Sequence, residues 1–115
     1  MSRYKFRHIW IGVYGVNIYW VVCDRANYEK LAKSEFGESP PKLKDGRFEV
    51  YVKAKEEICV IWLKKGKANH PELCHEAFHA AHWILQRAGC WLTDSSEEAY
   101  AYLIQYIFKE IAKKK

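Results

Sequence analysis

The sequence lacks any run of about 18 consecutive apolar residues, so no membrane-spanning helix is expected. It has no internal repeats and no low-complexity tracts, which excludes repeat architectures. None of its four cysteines forms a Cys-x-x-Cys pair, and the N-terminal stretch lacks the small-residue cleavage site of a signal peptide. We therefore expect a cytoplasmic protein whose cysteines are reduced and buried, with Cys74 facing the core as a small apolar side chain.

The 115 residues are enough for one domain covering residues 1–115, and half of them are apolar. The chain carries a formal charge of +5, and its positive residues gather at 42–44, 64–67 and 113–115. A basic surface can attract nucleic acid or an acidic partner. No recognised nucleic-acid motif accompanies the charge, so a solvated basic surface is the favoured interpretation.

Hydrophobic periodicity and turn residues predict seven elements and an α+β fold. Strands are predicted near 6–13, 16–23, 47–53 and 57–64, with helices near 26–36, 71–88 and 95–112. The order β-β-α-β-β-α-α predicts a small, mostly antiparallel sheet with packed helices. Asp24 is the expected cap of the first helix, and Asp94 or Ser95 that of the last. Residues 37–46 are expected to form a loop.

The motif His-Glu-x-x-His at residues 75–79 indicates a metal-binding site. Histidines four residues apart share one face of a helix, so His75 and His79 can reach one metal ion. Zinc accepts neutral imidazole nitrogen and lowers the pKa of bound water toward about 7. Glu76 is then placed to take the proton as a general base. Pro71 at the predicted start of the helix and Gly89 at its end support the helical context.

A third metal ligand is expected from the helix that follows, and Glu98 is the best candidate. Eighteen residues separate it from His79, which suffices for an antiparallel helix pair to bring it back. Glu97 is the alternative if Glu98 serves as a capping-box glutamate. His82 lies about 10 Å from His75 along the helix axis, which disfavours joint ligation. Tyr102, one turn beyond Glu98, is a candidate for stabilising an oxyanion.

The motif at 75–79, the eighteen-residue spacer and the segment from Glu98 to Leu103 together resemble a minimal zincin of the glutamate-ligand kind. In size and order the chain resembles the short ImmA/IrrE-like metallopeptidases, many of them carried by phages, with residues 9–22 and 47–112 fitting their outline. The resemblance implies zinc bound by His75, His79 and Glu98, with Glu76 as catalytic base. The chain has no fused helix-turn-helix domain, so the resemblance does not extend to cleavage of a repressor.

Two functions are compatible with these features. The first is a zinc peptidase acting on a peptide or protein. The strand near 57–64 would be an edge strand beside the cleft, where a substrate peptide adds as an extra strand and Trp62 or a neighbour fills a side-chain pocket. The second is a non-catalytic binding protein of phage type that blocks a host factor or associates with nucleic acid. Its metal would be structural or vestigial. The carboxylate of Glu76 favours catalysis, because a structural site needs none there. The oligomeric state is not predicted.

Overall fold

The computed structural model describes residues 4–40 and 45–115; residues 42–44 of the basic surface and part of the predicted 37–46 loop lie outside that description. Within it the predicted α+β class and element order are confirmed, with four strands and three helices. The strands are β1 (Arg7–Ile11), β2 (Val16–Cys23), β3 (Gly46–Lys53) and β4 (Glu56–Lys64). The helices are α1 (Arg25–Phe36), α2 (His70–Arg87) and α3 (Glu97–Ala112).

The strands form one mixed sheet in the order β1-β2-β4-β3. The β1–β2 and β3–β4 pairs are antiparallel hairpins, whereas β2 and β4 run parallel. β4 is therefore an interior strand with hydrogen-bonded neighbours on both sides. The prediction that this strand forms the edge beside the cleft is wrong, because its backbone groups are already paired. The edge strands are β1 and β3.

Burial explains why β4 is central. Its residues Cys59 to Leu63 are all fully buried, so both faces of the strand are covered. Trp62 packs on one face, parallel to the ring of Tyr28, and its Nε1 donates to the carbonyl of Cys23 at 3.0 Å. The expectation that Trp62 fills a substrate pocket is thus wrong, because the indole belongs to the core.

The sheet separates two apolar cores. α2 and α3 cover one face, with Ile18, Ile61, Leu73, Ile84 and Ile107 at its centre. α1 covers the other face, where Tyr28, Phe36 and Trp62 are buried. No helix in the described ranges combines the length and apolar character needed to cross a membrane.

Helix ends follow the sequence signals for α1 and α2 and depart from them for α3. Asp24 caps α1 by accepting from the N–H of Asn27 at 2.8 Å, as predicted. α3 begins at Glu97, and its N-cap is Ser96, which makes no side-chain capping bond. The predicted cap at Asp94 or Ser95 is wrong. The Ser96 hydroxyl instead bonds to the main-chain carbonyl of Trp91 and organises the connecting turn.

All four cysteines are free thiols, as predicted, but they differ in exposure. Burial raises the pKa of Cys59 to about 12 and that of Cys23 to about 11, which makes both inert. Cys74 is exposed, so its predicted place in the core is wrong. Ala81 and Leu85 follow Cys74 by seven and eleven residues, lie on the same side of α2 and are buried, so the core that covers this side of the helix does not extend as far as Cys74.

Candidate metal centre

The site is built on the outer face of α2. Leu73, Ala77, Ala80 and Ile84 recur at helical spacing and are buried against the sheet. His75 and His79 fall on the opposite side and are exposed. The motif therefore presents its imidazoles to solvent, where an ion can reach them.

The first turn of α2 is fixed by two local signals. The side chain of Asn69 accepts from the N–H of Glu72 at 3.0 Å, and Pro71 occupies the first turn, where its missing N–H costs nothing. The helix begins at His70, whose ring lies 5.2 Å from that of Phe108 on α3. These contacts set the axis of α2 one turn before His75.

The two imidazoles converge on one point. Nε2 of His75 and Nε2 of His79 are 3.2 Å apart, and the rings stand nearly perpendicular. Two nitrogens bound to one tetrahedral zinc ion at about 2.0–2.1 Å lie about 3.3 Å from each other. The spacing of these nitrogens thus fits a shared zinc ion. It equally suits an N–H···N bond between neutral tautomers when no ion is bound.

Glu76 joins this pair from the protein side. One of its carboxylate oxygens lies within 4.8 Å of the histidine ligand atoms, and the three residues form a metal-competent group. Only 4% of Glu76 is exposed, although both histidines beside it are open to solvent. A carboxylate so placed could contact a water bound to an ion that the two histidines hold.

The environment of Glu76 favours its protonated form more than water does. Burial is the largest cause and raises the pKa of the carboxyl, and the nearby Glu72 raises it further. The neighbouring His75 and the backbone N–H of Phe48 on β3 act in the opposite direction, lowering this pKa without cancelling the effect of burial. A raised pKa brings a carboxyl closer to neutral pH, where a general base works best.

The ring of His79 is suited to ligation at neutral pH. Partial burial lowers the pKa of His79, and the neighbouring His75 and His82 lower it further. Metal binding requires the neutral ring, and this shift keeps the ring of His79 unprotonated at pH 7. The same group therefore combines a carboxyl whose pKa is raised with an imidazole whose pKa is lowered.

A glycine makes room for the carboxylate. A Cβ on Gly46 would lie 3.2 Å from Oε2 of Glu76, 3.2 Å from Oε2 of Glu72 and 3.4 Å from the carbonyl oxygen of Trp62. The start of β3 therefore passes directly over the two carboxylates of α2. The places of Gly46 and Glu72 beside this carboxylate were not predicted from the sequence. Glu72 carried a usable signal, since it is one helical turn before Glu76.

The predicted third ligand is not part of the group. Glu98 is exposed in the first turn of α3. The buried stripe of α3 begins at Tyr100 and continues through Leu103, and Glu98 is rotated from Tyr100 by about 200°. Glu97 is also exposed and outside the group. The assignment of Glu98 stays a prediction.

Tyr102 lies on a different side of α3 from the one that faces α2. It is 66% exposed and borders an apolar groove of about 460 Å³ with Trp10, Val13 and Tyr106. The tyrosine that approaches α2 is Tyr100, but its hydroxyl donates to the carbonyl of Cys90 at 2.7 Å. That bond fastens α3 to the turn after α2.

His82 has its own partners. Its Nε2 lies 2.6 Å from the side-chain amide nitrogen of Gln86, and its ring stacks on Phe78 with 5.7 Å between centroids. Tyr100 lies 6.1 Å from the same ring. His82 stays outside the metal-competent group. That His82 does not bind an ion jointly with His75 stays a prediction.

No protein-family model, curated protein or solved structure matches the chain.

Proposed function

We propose that this protein is a zinc-dependent hydrolase acting on peptide bonds. The observation that carries the proposal is the joint placement of three groups on one turn of α2. Two exposed imidazole nitrogens stand 3.2 Å apart, with a buried carboxylate within 4.8 Å of both. A structural zinc site needs four protein ligands and no free carboxyl, whereas a catalytic site keeps an open position beside a general base.

The roles of the chain's own groups follow from their chemistry. His75 and His79 would hold zinc, which when bound polarises a carbonyl and lowers the pKa of water. Glu76 accepts the proton of the attacking water and returns it to the leaving amine. Its burial and the N–H of Phe48 restrict the side chain, so the carboxyl is oriented before substrate arrives. Glu98 is the proposed third ligand.

The edge strand β3 supports a peptide as the substrate class. β3 pairs with β4 on one side only, and its first residues pass beside Glu76. An extended peptide can add to such an edge through main-chain hydrogen bonds, which are independent of side-chain identity. β3 thus takes the substrate-aligning role first expected of the strand at 57–64. As part of the same proposal we place the protein in the cytoplasm, where its four free thiols would stay reduced.

The test compares Glu76→Gln with Glu72→Gln in a fluorogenic peptide-library assay on zinc-loaded protein. Both changes remove one carboxylate from the same side of α2. We expect Glu76→Gln to lower kcat by about 100-fold or more while zinc content stays at one ion per chain. Glu72→Gln should keep most of the activity. Equal rates for wild type and Glu76→Gln would contradict the catalytic role.

A non-catalytic binding protein is the second candidate, favoured by one observation. Trp10, Val13, Tyr102 and Tyr106 are all more than 40% exposed and border one apolar groove between the β1–β2 turn and α3. Exposed aromatic residues of this kind are common in protein interfaces. In that case the zinc would be structural, and the library would yield no cleavage with any variant.

A further inference from the structure

A second stripe of residues on α3 is separate from both its buried side and the metal-competent group. Five residues follow one another at intervals of three and four positions, which places them on one side of the helix. They are Ala99, Tyr102, Tyr106, Lys109 and Lys113. Four of them are exposed and Ala99 is half-buried, so the protein's own elements leave this side of α3 largely uncovered. Intervals of three and four are also those of the contact line between two packed helices.

The middle of this stripe belongs to an exposed apolar surface. Tyr102 and Tyr106 lie beside Trp10 and Val13 of the β1–β2 hairpin, along the apolar groove of about 460 Å³. We call these four residues the aromatic face. Among the residues that the structure describes, no charged side chain lines that groove. An uncharged centre of this kind is typical of interfaces between identical chains, which are more apolar than the interfaces of transient complexes.

The aromatic face has enough area for a dimer interface. A fully exposed aromatic side chain offers roughly 200 Å², and Trp10, Tyr102 and Tyr106 are 58%, 66% and 43% exposed. The three rings therefore offer roughly 330 Å² per copy, to which the exposed side chain of Val13 adds. A standard interface buries about 800 Å² per partner, of which a little over half is apolar. The aromatic face supplies most of that apolar share.

The charges of α3 favour a second copy as the occupant. The acidic residues at its start are Asp94, Glu97 and Glu98, and the lysines at its end are Lys109, Lys113, Lys114 and Lys115. Residues 99–108 between them carry no charge. Glu110 lies among the lysines but is paired with Lys113 at 2.8 Å. In two antiparallel copies of such a helix, each acidic end meets a basic end.

The position of the aromatic face completes this self-complementarity. Acidic first turns and basic last turns also suit the dipole of a single helix, so the charges alone do not select a partner. The midpoint between Tyr102 and Tyr106 is residue 104, and Ala99 and Lys109 lie five residues on either side of it. A two-fold axis at that midpoint brings the tyrosines of both copies together. It also places Ala99 of each copy opposite Lys109 of the other, about 7.5 Å from the axis along the helix.

We propose that two copies of this chain associate through the aromatic face, with their α3 helices antiparallel across a two-fold axis. An interface of this symmetry uses the same residues of both copies. It does not depend on zinc, because the metal-competent group lies on α2. The second copy would cover the exposed rings that otherwise favour a non-catalytic binding protein.

Analytical ultracentrifugation of the full chain, from roughly 1 to roughly 300 μM and without added zinc, tests the proposal. We expect a reversible monomer–dimer equilibrium. Tyr102→Glu places a charge in the apolar centre and should weaken the dimer by ~30-fold or more. The matched control is Val52→Glu, which puts the same charge at an exposed apolar position on β3, the opposite edge of the sheet. It should change the dissociation constant less than about 2-fold.

A pair of opposite charges tests the antiparallel arrangement itself. Ala99→Glu should tighten the dimer ~5-fold through two new ion pairs with Lys109, and Ala99→Lys should weaken it ~5-fold. In a Lys109→Glu background the two effects should exchange sign. A contact with an unrelated protein, or between copies in another orientation, gives no such exchange. Circular dichroism confirms that each variant is folded.

Three results would overturn the proposal. The first is a monomer at every concentration up to roughly 300 μM, which would leave the aromatic face to a different protein. The second is an equal loss of association in Tyr102→Glu and Val52→Glu. The third is the same sign for each Ala99 variant with and without Lys109→Glu, which would place α3 elsewhere in the dimer. Every readout is association and not hydrolysis, so a failure here leaves the zinc proposal unaffected, and the reverse holds too.

Discussion

At the scale of single residues, the unusual feature is a nearly buried carboxyl that lies between two exposed histidines. Glu76 sits under β3, and burial raises its pKa above the ordinary value of 4.5. The folded state therefore holds the proton of Glu76 at pH values where the unfolded chain has released it. Ionising the buried group costs stability, so this residue destabilises the metal-free fold as pH rises from about 4.5 toward neutrality.

Glu76→Gln removes that titration and keeps an amide oxygen for the N–H of Phe48. In the presence of a chelator, we expect the melting temperature of the variant relative to wild type to increase as pH rises from about 4 to about 7. Because the other carboxyl groups are the same in both proteins, their effect on the melting temperature cancels when the wild-type values are subtracted. A difference that is constant or decreases with pH would mean that burial does not raise the pKa of Glu76.

Gly46 is the second residue with a specific role. A side chain there would press on Oε2 of both Glu72 and Glu76 and on the carbonyl of Trp62. We expect Gly46→Ala to destabilise the fold by about 1 kcal/mol and to reduce hydrolysis while zinc binding persists. Gly12→Ala is the control, because its Cβ would meet only the exposed indole of Trp10, which can move. Wild-type activity in Gly46→Ala would dismiss a positioning role.

The sequence identified His75, Glu76 and His79 because a helix of known period fixes their relation. It could not identify Gly46, since the approach of Gly46 to Glu76 depends on the register of β3 against β4 and on where α2 crosses that strand. Nor could spacing decide whether Glu98 faces α2. That depends on the rotation of α3 about its axis, and the start of α3 at Glu97 was not the predicted one.

At the scale of elements, the position of α2 depends on its cap. We expect Asn69→Ala to cost about 1 kcal/mol of stability and also to weaken zinc binding, because fraying of the first turn reaches His75. Asp24→Ala removes the equivalent cap from α1, on the opposite face of the sheet. It should cost a similar amount and leave zinc affinity unchanged. Calorimetry for stability and zinc titration with a competing chelator distinguish the two; equal zinc affinities in both variants would contradict the coupling.

Which glutamate of α3 binds zinc depends on the rotation of α3 about its axis, and zinc affinities of single variants test this. If Glu98 completes the site when zinc is bound, Glu98→Ala should weaken zinc affinity by about 10-fold or more, and Glu97→Ala by much less. Competition titrations on both variants measure this directly. The reverse order would move the assignment to Glu97. Equal, small effects would leave the two histidines as the main protein ligands.

The types of the elements were predictable because each strand and helix has its own hydrophobic periodicity and its own turn residues. The order of the strands in the sheet was not predictable. The residues of β4 are apolar on both faces of the strand, but this pattern does not show which strands lie beside it. The parallel pairing of β2 with β4 arises because α1 and β3 lie between them in sequence, so that two hairpins join through their inner strands.

At the scale of the whole molecule, the two faces of the sheet carry different features. The face under α1 holds a closed aromatic core, while the face under α2 and α3 supports the metal-competent group. An ion that binds only the folded state should stabilise the whole chain. At a free zinc concentration about 100 times the dissociation constant, we expect the free energy of unfolding to increase by about 2.7 kcal/mol. Denaturant unfolding with and without a chelator measures this increase. His75→Ala should abolish this increment, and its persistence would place the zinc elsewhere.

The central claim is that the imidazoles of His75 and His79 share one zinc ion. Crystals grown with zinc and measured on both sides of the zinc absorption edge test it most directly. The account predicts an anomalous peak at about 2.0–2.1 Å from Nε2 of both histidines, beside the carboxylate of Glu76. Zinc-soaked crystals with no peak at that position, and with the two rings hydrogen-bonded to each other, would contradict it.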